Sequence, residues 1–179
     1  MTLFTLSFFN ISSHAQSKSN QQLAMNAKLP VSIIKPAHID YNGFYELVEE
    51  VKPYREKRTI DFDKFLEMAQ KEGVILLDTR SESAYKGKHL KGAIHLNFSD
   101  FTEEKLAKVI PSKDTPILIY CNNNFLGDPM SFALKSRPLA LNIPTFINLY
   151  GYGYKNVYEL GALIPIDHNQ LEFEGDLVK

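Results

Sequence analysis

The chain has 179 residues, 44% hydrophobic and 23% charged, with a formal net charge of −1 and a single cysteine. This length holds one domain with a full core plus extensions, not two comparable domains. The near-neutral balance supplies no general attraction to nucleic acid or anionic membranes, and one cysteine excludes an internal disulfide and a multi-cysteine zinc site.

An apolar stretch from Leu3 to Ile11 is followed by Ser13-His14-Ala15, with small residues where a signal peptidase reads them. This pattern predicts a signal peptide over 1–15 and a mature chain that begins at Gln16, periplasmic or secreted. The basic residues that usually precede such a run are absent. The stretch is too short to span a bilayer, so no membrane span is expected in the mature chain. In an exported setting free thiols are normally oxidised.

Residues 16–58 read as a polar, flexible lead-in and an N-terminal helical extension. Tyr41, Phe44, Tyr45, Leu47, Val48 and Val51 recur at helical spacing, which predicts an amphipathic helix stopped near Pro53, with Glu46, Glu49 and Glu50 on its solvated face. Asp61 then caps a helix bearing Phe62, Phe65, Leu66 and Met68, and Gly73 ends it.

VILLD at 74–78 and PILIY at 116–120 are continuous apolar runs, as in strands buried on both faces. Between them GAIHLNF at 92–98 reads as a strand and FTEEKLAKVI at 101–110 as a short helix. An apolar helix around 143–150 and a strand at 155–160 follow. The alternation predicts an α/β domain with a mostly parallel central sheet flanked by helices, in which ligands sit beyond the carboxyl ends of the strands. Cys121 stands at such an end.

A cysteine there is either a nucleophile or a small apolar filler, and the residues alone leave both open. Asn122, Asn123 and Asn124 read either as a nest of N–H and amide donors or as a plain polar turn. The five histidines lack metal-ligand spacing, and Tyr150, Tyr152, Tyr154 and Tyr158 read as packing residues before site residues.

The stretch LLDTRSESAYKGKHLKGAIHLN, through Asp78, Arg80, Glu82, Tyr85, His89, Gly92, Ala93 and Ile94, resembles the rhodanese homology domain. The later IYC and GYKNVYELGALI fit the strand that carries that family's cysteine and the family's closing segment. The resemblance implies a rhodanese-like three-layer fold over 59–168, followed by a C-terminal tail at 169–179. It also implies a sulfurtransferase in which Cys121 takes sulfur from a small sulfane donor, holds it as a persulfide and passes it to a thiophilic acceptor. No metal and no organic cofactor is called for. Asn122, Asn123, Asn124, Phe125, Leu126 and Gly127 would form the loop whose N–H groups stabilise the sulfur anion. Asp78 and Arg80 would be a supporting structural pair, and His89 a scaffold residue.

Two departures from the family pattern stand out. Leu126 occupies the place of the arginine that ends the family's cysteine loop, which disfavours phosphatase chemistry. An insertion of about a dozen residues, within FLGDPMSFALKSRPLALN, follows the cysteine. Asp128-Pro129 could open a short helix there and bring negative charge near the site, leaving the helix aimed at the sulfur to begin near Pro144-Thr145. These departures support a second expectation, a catalytically weak or inactive binding or regulatory module of the cell envelope with a protein partner.

Overall fold

The computed structural model describes residues 35–178, so the predicted signal peptide lies outside the described residues. Residues 35–39 form no helix or strand. A compact unit begins at Asp40, whose carboxylate accepts the Gly43 N–H at 2.9 Å and caps α1, Tyr41–Glu56. This helix passes through Pro53 instead of stopping there. A proline removes one intrahelical hydrogen bond, and the burial of Val51 with the packing of Leu47, Val48 and Tyr54 against the core outweighs that loss. Glu50 is also more than a solvated residue, because it accepts the Tyr150 O–H at 2.6 Å.

After β1, Thr59–Ile60, Asp61 caps α2, Phe62–Ala69, by accepting the Lys64 N–H at 2.8 Å. The helix ends before Gly73, which at φ +79° turns the chain into β2, Ile75–Asp78. Then come α3, Glu82–Gly87, β3, His89–Leu90, and β4, Ile94–His95. The GAIHLNF run thus contributes only two paired residues, since Asn97 caps a 3-10 turn at Phe98–Asp100 and ends the pairing. The remaining elements are α4, Glu103–Val109; β5, Ile117–Tyr120; β6, Phe125–Leu126; α5, Asn142–Gly151; β7, Val157–Leu160; β8, Ile164–Pro165; and β9, Phe173–Glu174.

The central sheet has the order β1-β7-β5-β2-β4 and every pairing in it is parallel. Side chains of β5 alternate between its faces. Ile117 and Ile119 join α1, α4 and α5 residues in one core layer, while Leu118 and Tyr120 join Phe65 and Met68 of α2 in the other. That alternation gives three layers. The chain winds from β2 to β4 on one side and then returns to β5 on the other, which opens a crevice beyond the carboxyl ends of β2 and β5.

The segment expected as a C-terminal tail is docked instead. β9 pairs antiparallel with β3, and the Phe173 ring packs 5.7 Å from both Phe125 and Phe132. Apolar burial holds this segment to the domain.

The N-terminal helix is tied to the sheet by charge as well as by packing. Arg55 Nε and Nη2 reach the two carboxylate oxygens of buried Glu159 at 2.6 Å each. Leaving a buried charge unpaired typically costs about 3 to 5 kcal/mol. Thermal unfolding of Arg55→Met should therefore show a clearly lowered Tm, and adding Glu159→Met should restore most of it. Equal melting of wild type and Arg55→Met would mean that the pair contributes nothing to holding α1.

Candidate active site

β5 delivers Cys121 to the sheet edge in extended conformation, and the chain then closes into a 3-10 turn at Asn122–Asn124. Asn124 fixes that turn. Its Oδ1 accepts the Cys121 N–H at 2.8 Å, and its Nδ2 donates to the carbonyls of Leu160 at 2.8 Å and Ala162 at 3.0 Å. A second donor, Asn142 Nδ2, reaches the same Oδ1 at 3.1 Å and ties the turn to the start of α5. Asn123 uses both ends of its amide on one distant residue: Nδ2 donates to the Lys135 carbonyl at 2.8 Å, and Oδ1 accepts the Lys135 N–H at 3.0 Å.

The backbone N–H groups of Asn123, Asn142 and Leu141 act on the Cys121 thiol to favour its charged form. Only one belongs to the predicted loop. Phe125, Leu126 and Gly127 leave the site: Phe125 is buried among Tyr120, Phe132 and Phe173, and Leu126 pairs in register with Pro165. The physical reason is the insertion. In place of a loop that curls back on the sulfur, β6 carries the chain away, and the insertion returns it at Leu141 some twenty residues later. The helix start at Asn142 agrees with the expectation of a late helix near Pro144.

Asp128 opens no helix, only a single turn in which the Phe132 N–H donates to the Asp128 carbonyl at 2.8 Å. Nor does it load the site with negative charge. Its carboxylate is paired with Lys88 at 2.8 Å, and that hydrogen bond, with those from Ser131, holds its pKa at about 2.

Asp78 and Arg80 sit at the end of β2 beside the turn, both removed from water. Arg80 Nε donates to both Asp78 carboxylate oxygens at 3.0 Å, and Nη2 to one of them at 2.6 Å. The other guanidinium contacts are the carbonyls of Ser131 at 3.0 Å and Lys88 at 2.7 Å. Tyr120 donates its hydroxyl to Asp78 at 2.6 Å; burial first, then the Asp78 charge, push this phenol well above its ordinary pKa, so it remains a donor. The pair is thus a structural rivet whose charge is satisfied from within. His89 and His95 stack on Tyr85 at 3.8 and 4.8 Å and take no part in the site.

A cleft of about 420 Å³ opens over Cys121, lined on one side by Arg80, Ser81 and Ala84 and on the other by Lys135, Ser136, Leu139 and Leu141 of the insertion. Its outer wall was not readable from local sequence, because Lys135 and Leu141 reach the cysteine only through the Asn123 clamp and the return of the chain. The four tyrosines at 150–158 line no part of it. Among the described residues no three histidine, cysteine or acidic side chains gather to hold a metal ion.

A family model for the rhodanese-like domain matches residues 61–161, more than half of the chain, with Cys121 after its central strand. The chain belongs to the rhodanese-like domain family. Among solved structures, the rhodanese-like chain resembles a protein from Bacillus halodurans at 22% identity, with a TM-score of 0.50, covering 72% of this chain and 86% of that one. A Helicobacter pylori protein is similar at 21% identity and TM-score 0.43, over 68% of this chain and 93% of that one. A rhodanese with anions from E. coli is similar at 18% identity and TM-score 0.38, over 57% and 98%. At 22% identity the likeness to the Bacillus halodurans protein speaks for the fold alone. No curated protein matches the chain significantly.

In this rhodanese-like site the thiol is poised by opposing influences. Burial raises its pKa above the ordinary 9.0 and the nearby Glu159 charge adds to that, outweighing the N–H groups of Asn123, Asn142 and Leu141, which lower it. The charged form is the one disfavoured, so the folded protein keeps Cys121 as a thiol at neutral pH. Alkylation of Cys121 by iodoacetamide should still be climbing above pH 9, and Glu159→Gln should move the profile to lower pH. A rate that levels off near neutrality would show that the N–H groups dominate.

Proposed function

We propose that this rhodanese-like domain carries sulfane sulfur as a persulfide on Cys121. The observation that supports it best is the place of Cys121, at the carboxyl end of the central strand and lining an open cleft, where the backbone N–H groups of Asn123, Asn142 and Leu141 favour the charged sulfur. Such donors suit an anion whose charge must be held without a partner side chain. In the first step the Cys121 thiolate attacks the sulfane sulfur of a donor; a new S–S bond forms and the donor leaves with the electron pair, as sulfite if the donor is thiosulfate. In the second an acceptor thiolate attacks the outer sulfur, and Cys121 leaves as thiolate. The two steps balance without metal or organic cofactor.

A second reading is favoured by the raised thiol pKa and by the leucine at position 126: a domain that keeps the fold and binds a partner with little turnover. Intact mass after exposure to thiosulfate or a polysulfide separates the two. Wild type should gain sulfur and Cys121→Ser should not. A wild-type chain that takes up none, while its cysteine still alkylates, supports the binding module.

We also propose export, on the Ser13-His14-Ala15 pattern. Expressed in a bacterial host, the chain should be recovered from the envelope fraction with Gln16 as its first residue. Uncleaved chain in the cytosol would remove this proposal.

A further inference from the structure

At the amino ends of the sheet strands, opposite the end that carries Cys121, stands a group of side chains that sulfur chemistry does not use. Arg58 immediately precedes β1, Lys113 and Asp114 form the turn before β5, and Lys155 and Asn156 lead into β7. These three strands are neighbours in the sheet, and the three cations line one cleft of about 320 Å³. Each cation rests on an aromatic ring. The Arg58 guanidinium carbon lies 4.4 Å from the Tyr54 ring centre and 5.0 Å from that of Tyr158; Lys113 Nζ lies 3.9 Å from the Tyr154 ring and Lys155 Nζ 4.7 Å from the Tyr150 ring. Tyr150, Tyr154 and Tyr158, which line no part of the cysteine cleft, thus serve as seats for charge.

A ring holds a cation through its quadrupole and leaves the charge in place, whereas a carboxylate cancels it. Among the described residues none of these three cations pairs with a carboxylate, while Lys64, Lys71, Lys91 and Lys105 all do. Asp114 is the one acidic side chain lining the cleft among the described residues, so positive charge is in excess there. The walls are cross-tied. Tyr54 donates its hydroxyl to the Lys155 carbonyl at 2.7 Å, Asn156 Nδ2 to the Asp114 carbonyl at 2.9 Å, and Lys113 Nζ to the Tyr152 carbonyl at 2.7 Å, while the Arg58 carbonyl accepts the Glu159 N–H at 2.9 Å.

We propose that this cleft binds a phosphate dianion, either the free ion or the head of a small phosphomonoester. Arg58 supplies a planar fork that matches two phosphate oxygens, and Lys113 and Lys155 add compact point charges. The volume is that of a small-molecule site. Tyr54 lies in α1 and Arg58 just beyond it, ahead of the family match at 61–161, so the helical extension completes the site. Binding here stands independently of sulfur carriage by Cys121.

The experiment titrates inorganic phosphate, and separately glycerol phosphate, into the isotope-labelled full chain at about pH 8, where the second phosphate proton is lost. Sodium chloride at matched ionic strength is the reference. The amide signals of Lys113, Asp114, Gly153 and Lys155 should shift saturably with phosphate and not with chloride. A unit charge about 6 Å from a dianion changes its binding roughly threefold to tenfold, according to salt. Lys113→Gln and Lys155→Gln should each weaken binding by such a factor, and Asp114→Asn should strengthen it by as much; all three residues are exposed, so these variants fold. Arg58→Gln, which also removes the fork, should weaken binding about tenfold or more. Lys105→Gln, outside the cleft, should change nothing. Tighter binding of glycerol phosphate supports an ester as the ligand, and equal binding supports the free ion. Absence of saturable shifts, shifts confined to Asn122–Asn124 and Leu141–Asn142, or affinities indifferent to all four cleft substitutions would overturn the proposal.

Discussion

A carboxylate removed from water organises the functional end of this domain. Asp78 is fully buried, and ionised it is stable there only because the Arg80 fork and the Tyr120 hydroxyl take up its oxygens. Each partner brings a different segment with it. Tyr120 is the last residue of β5 and accepts the Leu90 N–H of β3 at 3.1 Å, while the remaining Arg80 donors hold the carbonyls of Lys88 and of Ser131 in the insertion. The guanidinium also lies 4.5 Å over the Phe132 ring. One desolvated charge thereby sets the position of the cysteine turn, of the β3 strand and of the near end of the insertion.

A second set of contacts fixes the far end. Thr79 and Thr145 join their buried hydroxyls at 3.0 Å, linking the end of β2 to α5, and Asn142 reaches across to Asn124. These bonds hold the first turn of α5 against the cysteine turn, where the N–H groups of Leu141 and Asn142 favour charge on the sulfur. A family loop makes its anion site from consecutive residues. Here the surroundings of the cysteine are assembled from two segments about twenty residues apart, and their rigidity comes from side-chain amides, not from the loop backbone alone.

The fold was legible in the sequence because its signals are local or periodic: VILLD and PILIY as buried parallel strands, Asp61 as a cap, and the ordered residues from Asp78 to Ile94. The structural role of the Asp78–Arg80 pair and the late start of α5 were legible too. The composition of the cysteine's surroundings was not. Phe125, Leu126 and Gly127 follow the Asn122–Asn124 turn directly, yet backbone pairing with Ile164 and Pro165 and the burial of Phe125 among aromatic rings draw them away. Nothing near Lys135 or Leu141 in sequence announces a position beside Cys121, since contacts made across an insertion leave no periodic trace. Pro53 and Glu50 illustrate the same limit, because tertiary packing outweighed a helix-breaking residue and drew a nominally solvated acid into a hydrogen bond.

The raised thiol pKa and the ring of N–H donors look contradictory until the position of the charge is considered. Cys121 itself is 1% exposed, so a thiolate would place its charge in the most desolvated part of the site. In the proposed persulfide the charge would lie on an outer sulfur, about 2.0 Å farther along the S–S bond, toward the cleft. The protein surroundings therefore penalise the resting anion more than the loaded one. Under the proposed persulfide reading, that difference favours a carrier over a fast nucleophile, because the step that forms the thiolate is made harder. It also keeps the resting cysteine protonated, and oxidation follows thiolate character and exposure. The single cysteine has no resolving partner within the chain, and under the two proposals of export and sulfur transfer its burial would shield the resting thiol from oxidation until a donor enters the cleft.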